Sequence, residues 1–181
     1  MIELREIIEG CKRKDRRHQD ELYRRYSSML YGLCLRYTKS REEAEDVLQE
    51  GMVKIFKSVG TYSMTNSFEG WMRRIVINTA ITHYRKNLKH AYQDDVDDTP
   101  QSKYKDVDNF DSDFTQEELL GAINNLPNGY RMVFNMYVVE GYKHKEIAEM
   151  LKIDINTSKS QLSRAKKFLQ RELEQLSKVN M

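Results

Sequence analysis

Residues 141–167, GYKHKEIAEMLKIDINTSKSQLSRAKK, decide the fold. Their spacing predicts a helix, a tight turn and a second helix that is polar and basic on one face. Ile147, Ala148 and Leu151 supply the apolar side of the first helix, while Glu146 and Glu149 fall towards solvent. Asp154 suits the N-cap of the second, where a carboxylate accepts from the orphan amides of the first turn. From there Ile155, Ser158, Leu162, Ala165 and Leu169 recur at three- and four-residue spacing and so share one face. Ala148 and Ala165 are small enough for the helices to cross closely. A unit of this kind can push one helix into the major groove of DNA while the rest holds it there.

The opposite face of the second helix carries Asn156, Thr157, Ser160, Ser163, Arg164 and Lys167, with Lys159 and Lys166 on its flanks. Arg can bond a guanine edge with two donors, and Ser or Asn reaches base edges at closer range. The flanking Lys side chains suit phosphate oxygens, which give affinity without sequence information. The plainer alternative is a solvated face on an ordinary helical hairpin. The short turn, the small Ala148 at the packing position and the charge gathered on one helix favour the DNA reading.

Working outward, the 181 residues suffice for one large or two small domains. Lys plus Arg number 30 against 28 Asp plus Glu, so total charge says little about nucleic acid. Its distribution says more. Residues 1–87 hold 17 basic and 12 acidic side chains, residues 88–115 hold 3 and 8, and residues 116–181 hold 10 and 8. Two basic segments are thus joined by an acidic one. Cys11 and Cys34 lie far apart, outside any metal-ligand spacing, and read as buried thiols in a reducing compartment. No signal-peptide core or membrane-length apolar run is seen, which leads to the expectation of a cytoplasmic protein.

Strand signals are almost absent, and both prolines, Pro100 and Pro127, sit outside the periodic segments. The expected fold is all-α: two small helical domains, 1–89 and 116–181, joined by a flexible acidic linker, 90–115. In the first, helices are expected over residues 4 to about 14, 20 to 38, 40 to 59 and 66 to 88. Ser40 with Glu43 gives the third a capping box, and Asn66 with Glu69 gives the fourth a cap-like start. In the second, a helix over 116–126 is followed by one that Pro127 opens at its first turn.

Two further patches carry chemistry. In DVLQE, Asp46, Gln49 and Glu50 fall within one turn and face outwards, with Val53 next along, while Ala44, Val47, Leu48, Ile55 and Phe56 serve the core. By itself such a patch reads as solvated surface; it holds no metal-ligand set, and nothing near it supplies acid–base chemistry. In FEGWMRRIVINTAITHYRKN, Phe68, Trp71, Met72, Ile75, Val76 and Thr79 form a largely apolar side. Arg73, Arg74, Asn78, Thr82, Arg85 and Lys86 form a basic, hydrogen-bonding stripe. The loop before it offers Thr61, Tyr62, Ser63, Thr65, Asn66 and Ser67. A basic stripe beside an aromatic loop suits single-stranded nucleic acid, whose bases leave the stack. The alternative is a core Trp71 with solvated cations around it.

LYRRYSSMLYGLCLRYTKSREEAEDVLQEGMVKIF, followed by F-x-x-W-M-x-R-I-x-x-N-T-A, resembles region 2 of bacterial RNA polymerase sigma factors. LPNGYRMVFNMYVVEGYKHKEIAEMLKIDINTSKSQLSRAKKFL is similar to their region 4. The likeness covers about residues 17–88 and 116–173, with no third globular domain between, as in the short extracytoplasmic-function (ECF) class. It implies that Asp46, Gln49, Glu50 and Val53 dock on the core polymerase. The loop Tyr62, Ser63, Asn66 and Ser67, with Trp71 and Asn78, would capture an unstacked base of the −10 element. Arg73, Arg74, Arg85 and Lys86 would hold the melted strand. Asn156, Thr157, Lys159, Ser160, Ser163, Arg164 and Lys167 would face the −35 element as duplex.

The same helix departs from the family pattern at Asn156, where glycine is usual, at Ser158, usually apolar, and at Gln161, usually Arg. The resemblance further implies core polymerase, promoter DNA and an anti-sigma factor as partners, a monomer when free, no cofactor, and no enzymatic step. A stand-alone helix-turn-helix regulator is the second reading. It leaves DVLQE and the stripe from Trp71 to Lys86 without a purpose. An enzyme acting on nucleic acid would need a metal or nucleophile constellation that the sequence lacks.

Overall fold

A computed structural model describes residues 2–91 and 114–179, with the backbone alone for 89–91 and 179. The chain divides into two compact units, residues 1–86 and 87–181. Among the described residues every regular element is helical. The acidic linker expected at 90–115 falls largely outside the described residues.

Unit 1 begins with α1 (Leu4–Lys12), α2 (Arg16–Tyr37) and α3 (Arg41–Ser58). After a 3-10 turn over Val59–Thr61 comes α4 (Phe68–Ala91). The first helix ends two residues earlier than its spacing predicts, and the second starts four earlier. Asp15 is the reason for both. Its carboxylate accepts from the amides of Arg17 at 2.8 Å and His18 at 3.3 Å, capping α2 before the first apolar residue of that helix. Lys14 absorbs the corner in a left-handed conformation, φ 61°, which costs a side-chain-bearing residue about 1–2 kcal/mol. Gly10 is fixed by the same corner, because a β-carbon there would stand 2.1 Å from Cγ of His18.

The Ser40 cap forms as expected, with Oγ accepting from the Glu43 amide at 3.2 Å. Glu43, however, reaches back to the amide of Lys39 at 3.0 Å, one residue beyond a standard box. The fourth helix starts at Phe68, and its cap is Ser67 instead of Asn66: Ser67 Oγ accepts from the Gly70 amide at 3.3 Å. Inside the unit Leu22, Leu30, Leu33, Val47, Ile55, Met72 and Val76 are sealed from solvent. Each such side chain contributes on the order of 1.5–3 kcal/mol by burial. Cys11 and Cys34 are free, buried thiols; burial, more than nearby Asp15, pushes Cys11 up to about 11, and burial pushes Cys34 to about 12. Both stay protonated and inert at neutral pH.

Unit 2 contains α5 (Gln116–Asn124), α6 (Asn128–Phe134), α7 (His144–Leu151) and α8 (Ile155–Val179). Thr115 and Glu118 close a reciprocal capping box on α5. Pro127 sits at the N-cap of α6, one residue outside the first turn expected for it, and accepts from the Arg131 amide at 2.9 Å. A π-helical turn, Asn135–Val139, carries α6 onward, and Gly141 turns the chain at φ 77°. Ala122, Leu126, Ala165 and Leu169 form an apolar cluster supported by Tyr130, Phe134 and Phe168. Unlike unit 1, this unit also buries a charged side chain. Arg131, 2% exposed, donates to the Asn124 carbonyl at 3.1 Å and to Asn128 Oδ1 at 2.9 Å.

Candidate nucleic-acid interfaces

In unit 2 the candidate surface follows from how α7 and α8 cross. Ile147, Ala148 and Leu151 of α7 are buried, as are Ser158, Leu162, Ala165 and Leu169 of α8. Ile155 departs from the expected inward row and is 40% exposed, because it begins α8 ahead of the buried row that starts at Ser158. The turn between the helices is made by Lys152 in the left-handed region, φ 58°, and closed by Asp154, whose Oδ1 accepts from the Asn156 amide at 2.7 Å.

The expected recognition residues fall along one side of α8. Asn156, Lys159, Ser163 and Lys166 are exposed, while Thr157, Ser160, Arg164 and Lys167 are half-buried. Ser160 donates to the Thr157 carbonyl at 3.0 Å, so its hydroxyl proton is engaged within the helix. Arg164 leans towards α6, with Nη1 3.4 Å from Tyr130 Oη. Its guanidinium is therefore steadied at the base of the face.

The helix spacing did not foretell one polar bond. Ser158 is fully buried, and its Oγ lies 2.9 Å from Nδ1 of His144 at the start of α7. The His144 ring also stacks on Tyr137, centroids 4.4 Å apart. The departure from an apolar residue at 158 thus has a local reason: a buried hydroxyl needs a partner, and a histidine supplies it. Burial, then the nearby Lys159, holds the His144 imidazole below its ordinary value of 6.5, which favours the neutral ring. A polar residue at an inward helical position was the available signal.

In unit 1 the expected residues come from three elements. On α3, Asp46 and Gln49 are exposed and Val53 is 48% exposed, so an apolar side chain adjoins the polar pair. Glu50 is half-buried and already paired with Lys54 at 2.8 Å, which in turn bonds Thr79 of α4 at 3.2 Å. The hydrogen bond from Lys54 holds the Glu50 carboxyl below the usual range, with help from Lys86 and His83. The acidic patch therefore presents Asp46, Gln49 and Val53 more freely than Glu50. On α4, Arg74, Asn78 and Lys86 are exposed, and Arg73 and Arg85 are half-buried.

In the loop before α4 the aromatic residue is buried and the polar residues are exposed. Tyr62 is only 8% exposed. Its ring centroid lies 5.0 Å from Phe68 and 5.3 Å from Trp71, and Phe68 stacks on Trp71 at 5.4 Å. The Tyr62 hydroxyl donates to the Asn66 carbonyl. Apolar burial outweighs exposure for this side chain, and the ring braces the loop from beneath. Ser63, Thr65, Asn66 and Ser67 remain exposed, and Ser63 and Thr65 hydroxyls meet at 2.8 Å. Beside them opens a groove of about 700 Å³, with Leu4, Arg5 and Ile8 of α1 on one side and Met64, Asn66 and Ser67 on the other. The part played by α1 was not legible beforehand, because no periodicity links residue 5 to residue 66.

Among the described residues no group of three or more His, Cys, Asp and Glu could hold a metal ion, and no helix is long and apolar enough to cross a membrane. Residues 22–90 match the family model for Sigma-70 region 2, and residues 116–169 match that for Sigma-70, region 4. RNA polymerase sigma factor SigV of Bacillus subtilis is 32% identical over 143 residues, covering 79% of this chain and 83% of that protein. RNA polymerase sigma-H factor of Pseudomonas aeruginosa is 25% identical, covering 94% of each. Among solved structures, the sigma factor RpoE of Bartonella quintana, in complex with the anti-sigma factor NepR, is similar in fold. It has a TM-score of 0.52 at 19% identity, over 86% of this chain and 96% of that one.

Proposed function

Because this chain belongs to the RNA polymerase sigma factors of the ECF class, and so is a transcription initiation factor, we propose how its two units divide promoter selection. Unit 2 reads the −35 element as duplex. It lays α8 in the major groove with Asn156, Ser163 and Arg164 towards base edges and Lys159 and Lys167 towards phosphates. Unit 1 captures a base of the melted −10 element in the groove beside Ser63, Asn66 and Ser67. Tyr62 and Phe68 line that groove, with Trp71 packed against both rings. Trp71 and Asn78 assist the capture, and Arg73, Arg74, Arg85 and Lys86 hold the strand. Asp46, Gln49 and Val53 dock on the core polymerase, with Glu50 held at the edge of that surface by Lys54.

One observation carries this reading: a loop-lined groove and a basic helix stripe, then a polar, basic helix face, occur in one chain in the order of the two family matches. The domain limits of 1–89 and 116–181, with 90–115 as a connecting acidic linker, belong to the same proposal. The mechanism is binding and strand capture in the cytoplasm, by a chain monomeric when free, without a covalent step or a cofactor. An anti-sigma factor covering the chain is the expected means of restraint. A stand-alone regulator leaves the Asp46–Gln49–Val53 surface without use. Run-off transcription with purified core polymerase on a genomic fragment library tests the proposal. Promoter-selective transcripts that require this chain support it, whereas sequence-specific binding by the chain with no gain in initiation overturns it.

A further inference from the structure

The corner between α1 and α2 carries the run Lys12, Arg13, Lys14, Asp15, Arg16, Arg17, which lies outside the surfaces proposed for −10, −35 and core binding. Arg13, Lys14, Arg16 and Arg17 are all exposed, and among the described residues none of their side chains forms an ion pair. Asp15, the single acid in the run, is exposed but engaged locally: it caps α2 and lies 3.1 Å from Nδ1 of His18. Lys12 is tied to Glu9 at 2.9 Å. Four exposed cations thus gather around a tight corner with one carboxylate among them, a locally positive surface.

Lys14 adds a conformational oddity. Its φ of 61° is a conformation that glycine adopts freely and a residue with a β-carbon adopts only at a cost. A charged side chain stands where backbone comfort alone would select none. The corner is also connected to the groove. Arg5, near the start of α1, lines the groove beside the 62–67 loop, and Arg13 lies eight residues further along the chain. At 1.5 Å per residue that is about 12 Å, a reach of roughly two to four nucleotides of single strand.

We propose that Arg13, Lys14, Arg16 and Arg17 form a further binding surface, which holds the phosphate backbone of the promoter strand leaving the groove between α1 and the 62–67 loop. This rests on the base-capture reading of that groove and extends its path along α1. Phosphate binding of this kind carries no base information; it adds affinity that weakens with salt.

The test uses holoenzyme assembled with the full chain and a promoter fragment whose −10 element is single-stranded. The measurement is the slope of log affinity against log salt. Arg13→Ala/Arg16→Ala/Arg17→Ala is expected to lower the magnitude of that slope by about 0.7 for each phosphate no longer held, about 2 in all, with core-polymerase affinity unchanged. Lys14→Gly separates function from folding. It is expected to lower the slope by about 0.7 while raising the melting temperature, a pairing that a purely structural lysine would not give. Slopes equal to wild type in both variants, or a loss that falls on core binding instead, overturn the proposal. Asn66→Ala reports on base capture separately. A lowered slope in the corner variants with unchanged −10 base preference in Asn66→Ala supports the corner and overturns the capture reading.

Discussion

In unit 2 the proposed DNA-reading side chains all stand on one helix, α8, whereas in unit 1 the proposed base-capturing surface is assembled from α1, the 62–67 loop and α4. A single helix fixes the direction of its side chains by its own period once one face is buried. An assembled surface has no such period. Its geometry is set by what packs underneath, here Tyr62, Phe68 and Trp71. The contrast teaches that the two halves should fail differently. Changes on α8 should alter recognition with little effect on folding, while changes beneath the loop should alter both.

The largest effect is expected in unit 1. Tyr62→Ala removes a buried ring and should lower stability by about 3–5 kcal/mol, measured by chemical denaturation. Preserved stability together with a large loss of −10 binding would instead make Tyr62 a direct DNA ligand and erase the contrast. In unit 2, Arg164→Ala should weaken binding at the cognate upstream element by about 1–3 kcal/mol with little change in stability. Equal weakening on unrelated duplexes would reassign Arg164 to phosphate binding.

The contrast has one exception, the buried polar pair in unit 2. Ser158→Ala leaves the His144 ring without its partner and should cost about 1–3 kcal/mol of stability. Combining it with His144→Leu should cost less than the sum of the two single changes, which a double-mutant cycle reads directly. The pair also predicts a pH effect. The imidazole is held below 6.5 in the fold, so the unfolded chain takes up the proton first on acidification. The pair's stabilisation is present above pH 6.5 and lost as the pH falls through the lower folded value. Wild-type stability should therefore decline on acidification from about pH 6.5, and His144→Gln should flatten that part of the profile. The smallest effect belongs to the turn: Lys152→Gly relaxes a left-handed residue, a gain of about 1–2 kcal/mol that the glycine's greater freedom in the unfolded chain cuts by roughly 0.5–1 kcal/mol.

The same contrast governs what the sequence could reveal. The inward row Ser158, Leu162, Ala165 and Leu169, the Asp154 cap and the outward polar face were legible because each is a statement about one helix. Ile155 was misplaced because spacing alone cannot say where along its length a helix begins to be covered. The Ser40 cap was legible, but the start of α4 was not. Two cap-forming residues stand side by side, and sequence alone does not say that Ser67, not Asn66, accepts from the Gly70 amide. The burial of Tyr62 was not legible, since a lone aromatic in a polar loop carries no period to say which way it points. The groove wall from α1 and the Ser158–His144 bond link residues far apart in sequence, and only tertiary packing brings them together.

The most direct test of a two-part grip is initiation from a promoter library randomised separately at the −35 and −10 elements, using core polymerase with wild type, Arg164→Ala or Asn66→Ala. The proposed division predicts that Arg164→Ala changes base preference only within −35 and Asn66→Ala only within −10. A shift at both elements in either variant, or at neither element in both, would contradict it.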